Sequence, residues 1–278
     1  MGSVPFREVD VFCTDGFDGN PLAVVHDADD LTTEQMQRIA NWTNFSETSF
    51  LLSPSDPVAD YYVRIFTPFE ELPFAGHPTL GSAHAWLEAG GRPRADRTVV
   101  QECGIGLVTL SLLSNRLAFE APPLIRSGQT DETSRLRTLA VLGLDDDEVV
   151  NVEWIDNGPR WIGVELADPA RLATLTPRAV DDDEVDIAVF CLGSNLSGVD
   201  IELRCFFSAD IREDPVTGSA NAGVAMYLKA HDKVEFPYVA AQGNHMGRNG
   251  RAYVSQDGDG GLWIGGDTTT RVAGDIWL

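Results

Sequence analysis

One pattern occurs twice in the chain, and it constrains the fold more than any other feature. FAGHPTLGSAHAWLEAGG fills residues 74–91 and EDPVTGSANAGVAMYLKAHD fills residues 213–232. Each copy follows strand-like residues, opens on a Pro/Gly/Thr turn and runs into a helix of Gly, Ala and Ser. The copies lie about 140 residues apart, too long a period for a solenoid and suited to a duplicated domain. Gly81, Ala83 and Ala85, like Ala220, Ala222, Gly223 and Ala225, would let a central helix lie close to a curved sheet wrapped around it. Glycine inside a helix costs up to about 1 kcal/mol against alanine, so close packing has to offset it. Ordinary amphipathic helices with small faces could carry the same residues.

The remaining pattern is many short strands and few helices. Strands are expected at 5–13, 22–26, 48–53, 58–67, 97–103, 106–112 and 116–120, bounded by Gly, Pro, Asn and Asp. A helix is expected over 32–42, where Thr32 and Gln35 have capping-box spacing, and a longer one from Pro78 to Ala89. Residues 121–134 read as a linker. Beyond it come a helix over 133–142 and strands at 148–156, 160–165, 187–192 and 200–207. A helix over 218–230 precedes strands at 236–241, 251–255, 261–265 and 270–276.

Composition excludes several function classes. The formal net charge is -23, which argues against nucleic-acid and anionic-membrane partners, since both need basic patches. The basic residues are 18 Arg and only Lys229 and Lys233, a skew that suggests a GC-rich genome or a salt-adapted host. The opening MGSVPFREVD has no apolar signal core, and no stretch approaches the roughly 18 apolar residues of a membrane span. Cys13, Cys103, Cys191 and Cys205 show no CxxC pairing and read as buried reduced thiols. A cytoplasmic location is the expectation. The acidic runs Asp145–Glu148 and Asp181–Glu184 lack the alternating ligands and Gly turn of a hard-cation loop and read as solvated loops or helix starts.

Three segments place polar groups in unusual company: Glu47 in NFSETSF, His77 in FAGHPT, and Asp214 with Ser219 in EDPVTGSA. A glutamate pressed against aromatics costs several kcal/mol unless it is paired, neutralised or used. Each residue also has a plain reading. Glu47 could pair with an Arg such as Arg64, His77 could cap a helix, and Asp214 and Ser219 could be turn residues. GxSxG is absent, GFDGN and GIG make no dinucleotide fingerprint, and AGHPTLG lacks the Lys of a phosphate loop. The echoed turns open helices, and helix N-termini attract anions. If the two halves face each other, both turns converge on a cleft suited to a carboxylate.

NFSET, FAGHPTLG and EDPVTGSA, in this order and at these intervals, resemble the PhzF-like family of phenazine biosynthesis. VDVFCTDGFDGNPLAVV is similar to that family's first hairpin and QGNHMGRNG to its late loop, so the resemblance covers nearly the whole chain. It implies an α+β fold like that of diaminopimelate epimerases. Two similar lobes each wrap a curved, mostly antiparallel sheet around a central helix, and the active site lies between them. Residues 1–120 would form the first lobe, with the final strand returning to it, and 121–278 the second. The resemblance further implies an isomerase without cofactor or metal, a homodimer, and a small amino-acid-like substrate such as trans-2,3-dihydro-3-hydroxyanthranilate. Glu47 would be the acid/base, with its pKa raised by partial burial. His77 and Asp214 would position polar groups and relay protons. Ser46, Gly76, Gly218 and Ser219 would bind substrate. The epimerase relatives place one thiol in each echoed turn, and this chain has none there, which favours one-base chemistry. A racemase or epimerase using other bases, and a non-catalytic carboxylate-binding protein, remain as alternatives.

Overall fold

A computed structural model describes residues 2–113, 116–178, 186–207 and 211–278. Contacts divide the chain into two compact units, one of residues 1–120 with 265–278 and one of residues 121–264. The fold is α+β, with a large mixed sheet and few helices.

The first unit runs β1 (Ser3–Val11), β2 (Asn20–Val25), α1 (Thr33–Thr43), β3 (Thr48–Leu52), β4 (Tyr61–Phe66) and β5 (Glu71–Leu72). It continues with α2 (Gly76–Glu88), β6 (Thr98–Cys103), β7 (Gly106–Leu113) and β8 (Arg116–Glu120). The second unit holds β9 (Arg126–Gln129), α3 (Glu132–Leu142), β10 (Val149–Asp156), β11 (Trp161–Leu166), α4 (Pro169–Ala173), β12 (Asp186–Leu192) and β13 (Ile201–Phe207). Then come β14 (Arg212–Asp214), α5 (Gly218–Ala230), β15 (Tyr238–Gln242) and β16 (Gly250–Gln256), and β17 (Leu262–Gly266) runs across the division at residue 264. Last is β18 (Thr268–Trp277), which pairs antiparallel with β1.

The echo in the sequence extends to strand pairing. In the first unit β1–β2 is antiparallel, β2–β3 parallel, β3–β4 and β4–β5 antiparallel, β4–β6 parallel and β6–β7 antiparallel. In the second, β10–β11 is antiparallel, β11–β12 parallel, β12–β13 and β13–β14 antiparallel, β13–β15 parallel and β15–β16 antiparallel. One detail repeats at atomic level: Val100 N–H donates to Asp60 Oδ2 at 2.8 Å, and Val239 N–H donates to Asp200 Oδ2 at 2.8 Å.

Both 13-residue helices α2 and α5 are buried on nearly every face, as helices apolar all round must be. Helix α2 packs on β1, β2, β3 and β8, and α5 on β10, β11, β12 and β16. A Cβ on Gly81 would stand 2.5 Å from Leu22 Cδ2, and one on Gly223 would stand 2.6 Å from the Ile155 carbonyl oxygen. Packing, not amphipathic patterning, therefore selects these glycines.

The capping box is present: Gln35 N–H donates to Thr32 Oγ1 and Thr32 N–H to Gln35 Oε1. Several sequence expectations need correction. Helix α2 starts at Gly76, not Pro78, because His77 and Pro78 both fall inside its first turn. Strand β4 starts at Tyr61, after a turn in which Asp56 Oδ1 accepts from Val58 N–H. The stretch 121–134 is no linker: β9 lies within it, paired antiparallel with β10, and α3 starts at Glu132 with Asp131 as its N-cap. The acidic run Asp145–Glu148 does start a short helical turn, as expected, and receives Arg135 and Arg171, while Asp181–Glu184 lies outside the described residues. Among the described residues, no helix is long and apolar enough to cross a membrane.

Candidate active site

Helix α1 ends on Asn44 in the left-handed region, φ 57°, with Asn44 N–H donating to the Ala40 carbonyl at 3.2 Å. The chain then turns through Phe45 and the half-buried Ser46 into Glu47, which immediately precedes β3. A hydrogen bond of 2.8 Å between the hydroxyls of Thr43 and Thr48 brackets this turn. Glu47 is only 7% exposed. It is not matched with Arg64, whose guanidinium grips Glu71 through Nε at 2.7 Å and Nη2 at 2.6 Å.

Glu47 instead faces His77. The distance from His77 Nε2 to Glu47 Oε2 is 3.4 Å, longer than a closed charge-assisted hydrogen bond. Catalytic hydrogen bonds are often long before substrate tightens them. Burial pushes the His77 pKa from 6.5 down to about 3, opposed by a hydrogen bond that the Pro21 carbonyl offers the charged ring. The imidazole is therefore neutral at physiological pH. Its Nδ1 lies 3.3 Å from Asn20 Nδ2, and Asn20 is fully buried.

The second unit gathers Asp214, Gly218 and Ser219. Asp214 ends β14, is 3% exposed, and accepts from Thr217 Oγ1 at 2.5 Å. Gln242 locks this turn. Its Nε2 donates to the Asp214 carbonyl at 3.0 Å and to Thr217 Oγ1 at 2.9 Å, and its Oε1 accepts from Thr217 N–H at 2.9 Å. Ser219 Oγ accepts from the Trp161 indole N–H at 3.0 Å, and the Ser219 carbonyl accepts from Asn157 Nδ2 at 2.9 Å.

The repeat relates the two groups. Gly76 and Gly218 each open a helix, so His77 and Ser219 occupy the same second position. Asp214, opposite Cys205, stands where the first unit has Leu72, opposite Ile65. Neither helix has a side-chain hydrogen bond at its N-cap, Ala75 or Thr217. An uncapped first turn keeps N–H groups and partial positive charge available to an anion.

Sequence reasoning missed Asn20, Trp161 and Gln242. Asn20 had a signal, since it follows GFDG directly. Trp161 and Gln242 lie in strands and are brought to the turn only by tertiary pairing.

All four cysteines are free and buried. Burial raises the thiol pKa of Cys13 and Cys103, takes Cys191 to about 11, and raises Cys205 well above its usual value. These thiols are protonated and unsuited as bases. Asp10, Cys13 and Asp18 bring possible metal-ligand atoms within 4.8 Å of one another. Their carboxylates already receive Gly19 N–H, Arg271 and Thr14, so the cluster braces a loop.

A family model described as phenazine biosynthesis-like protein matches residues 9–274. The chain belongs to that family. Trans-2,3-dihydro-3-hydroxyanthranilate isomerase of Pseudomonas aeruginosa is 36% identical, over 91% of this chain and 90% of its own length. Antisense-enhancing sequence 1 of Schizosaccharomyces pombe is 33% identical over 98% of both chains. Among solved structures, a phenazine biosynthesis protein of the PhzF family from Bacillus anthracis superposes with a TM-score of 0.83 at 25% identity, over 100% of both chains. The chain is an enzyme, an isomerase of this family.

Proposed function

We propose that the chain moves a proton, and with it a double bond, within a small cyclic or unsaturated amino acid. The observation that carries this reading is the buried Glu47 carboxylate 3.4 Å from a neutral His77 imidazole. Glu47 takes a proton from a carbon next to a conjugated system. The C–H electron pair enters that system, the double bond shifts, and the same carboxyl returns the proton to a second carbon on the same ring face. His77 and Asp214 hold the substrate's polar groups. Ser46 and Ser219, with the N–H groups at Gly76 and Gly218, bind its carboxylate.

The uncapped starts of α2 and α5 support the carboxylate-binding role. The protonated thiols disfavour two-thiol epimerisation, since none of the four offers a base at neutral pH. The first substrate to test is trans-2,3-dihydro-3-hydroxyanthranilate, on which the Pseudomonas aeruginosa relative is named as acting.

In deuterated water the wild-type enzyme should place label at one specific carbon and move the double bond. Removal of a positioned acid/base costs about 10²–10⁴-fold, so Glu47→Gln should label that much more slowly. Equal labelling by both proteins would remove Glu47 from the reaction. Label at the α-carbon with loss of optical activity would make the enzyme a racemase.

A further inference from the structure

Two buried hydroxyls stand two residues apart at the start of α5, and they are used differently. Thr217 Oγ1 accepts from Gln242 Nε2 at 2.9 Å and donates to Asp214 Oδ2 at 2.5 Å, so its proton is spent. Ser219 Oγ accepts from the Trp161 indole N–H at 3.0 Å, and among the described residues no group takes its proton. The direction of the Trp161 contact is fixed by chemistry, because an indole N–H can only donate.

Helical hydroxyls elsewhere in the chain spend their protons on the carbonyl four residues back. Thr79 Oγ1 donates to the Ala75 carbonyl at 2.9 Å, and Thr138 Oγ1 to the Ser134 carbonyl at 2.8 Å. Ser219 makes no such bond among the described residues. Its hydroxyl faces an indole that is itself held fast: Trp161 is buried, and its ring centre lies 5.7 Å from that of Phe207. Asn157, on the connection from β10 to β11, holds the Ser219 carbonyl through Nδ2 at 2.9 Å. One hairpin therefore grips this serine by backbone and side chain together.

A carboxylate can only accept, so a serine that binds one must give it a proton. We propose that Trp161 is a positioning residue that fills an acceptor site of Ser219 Oγ and so reserves the Ser219 hydroxyl proton for a carboxylate at the start of α5. The proposal rests on the reading of that turn as the seat of the substrate's carboxylate. The indole N–H, the hydroxyl and the carboxylate then form a chain in which each hydrogen bond polarises the next. An unspent buried donor also costs stability, and a bound carboxylate recovers it.

Anthranilate, an aromatic amino acid with no double bond to move, is the probe. ¹H–¹⁵N spectra of the full-length ¹⁵N-labelled protein follow its binding, with the Trp161 indole signal assigned by backbone-linked spectra. Anthranilate should shift that signal in the wild type. In Ser219→Ala it should bind about ten- to a hundredfold more weakly, as for loss of a hydrogen bond to a charged group, and leave the Trp161 signal in place. Trp161→Phe keeps an aromatic ring and should weaken binding about three- to tenfold, but by less than about twofold when residue 219 is already alanine. A tryptophan that merely packed would lower the unfolding temperature without this dependence on Ser219. A wild-type indole signal that anthranilate does not move, wild-type affinity in Trp161→Phe, or the same loss in both backgrounds would overturn the proposal. Should Trp161→Phe not fold, the indole response in wild type and Ser219→Ala decides alone. Anthranilate is not isomerised, so its binding judges Trp161 whether or not Glu47→Gln loses activity, and the two readings fail separately.

Discussion

A charged ring at position 77 would have to sit fully desolvated in the first turn of α2, and the fold refuses it. The His77 pKa falls from 6.5 to about 3, with burial as the main cause. The sign for stability follows from proton binding. Between these two values the unfolded chain binds a proton that the folded chain does not. Stability from this residue is complete above pH 6.5 and is lost as pH falls toward 3, at up to about 1.4 kcal/mol per pH unit. Urea unfolding at pH 7 and pH 5 should show wild type losing about 2 kcal/mol more than His77→Gln over that interval. Equal losses in the two proteins would show that the imidazole is not held neutral. The same neutrality means that His77 should contribute no ionisation near pH 6.5 to the rate profile of the isomerase.

At the scale of elements, the two buried helices share a composition but not the same tolerance. Alanine in place of a helical glycine gains up to about 1 kcal/mol of propensity. At Gly223 the new methyl would meet the Ile155 carbonyl oxygen at 2.6 Å, which belongs to the backbone of β10 and cannot turn aside. At Gly81 it would meet Leu22 Cδ2, the end of a flexible side chain, with Val11 Cγ2 next at 2.9 Å. Overpacking typically costs about 1–3 kcal/mol. Gly223→Ala should therefore destabilise by about 1–2 kcal/mol net, and Gly81→Ala by less. Thermal unfolding of both variants decides the order, and a more damaging Gly81→Ala would refute this account of the packing. The same contrast shows what was legible in the sequence. The small-residue helices, their turns and the capping box were readable because they are local. The short β5 and β14 were not, since two or three residues carry no period. Strand β9, reading Arg-Ser-Gly-Gln, has no alternation and exists because β10 pairs with it. Helix α4 did carry a local signal, Asp168 as N-cap ahead of Pro169, in a segment too short to show periodicity. Of the site, Glu47 and His77 were separately conspicuous, but their contact and the Asn20 amide behind His77 depend on β2, β3 and α2 packing together.

For the whole molecule the governing quantity is charge. The chain carries 43 acidic and 20 basic residues, so most carboxylates cannot have a cationic partner. Salt acts on this balance in two directions. It weakens surface pairs such as Arg135–Asp146 at 2.7 Å, but exposed pairs are worth only about 0–1 kcal/mol each. Pairs shielded from solvent, such as Arg204–Glu213 at 2.7 Å, are screened much less. Against this stands repulsion among the excess acids. Two like charges ~10 Å apart in water repel by roughly 0.4 kcal/mol, and many such pairs add up. The screening length is ~30 Å at 0.01 M salt and ~10 Å at 0.1 M, so added salt removes this long-range term while leaving contact pairs largely intact. Repulsion therefore dominates the response. Unfolding free energy measured in urea should rise by about 1–3 kcal/mol between 0.01 M and 0.5 M sodium chloride. A flat or falling curve would mean that the ion pairs, rather than the unpaired acids, set the electrostatic stability of the fold. A chain that folds only near molar salt would point to a salt-adapted host.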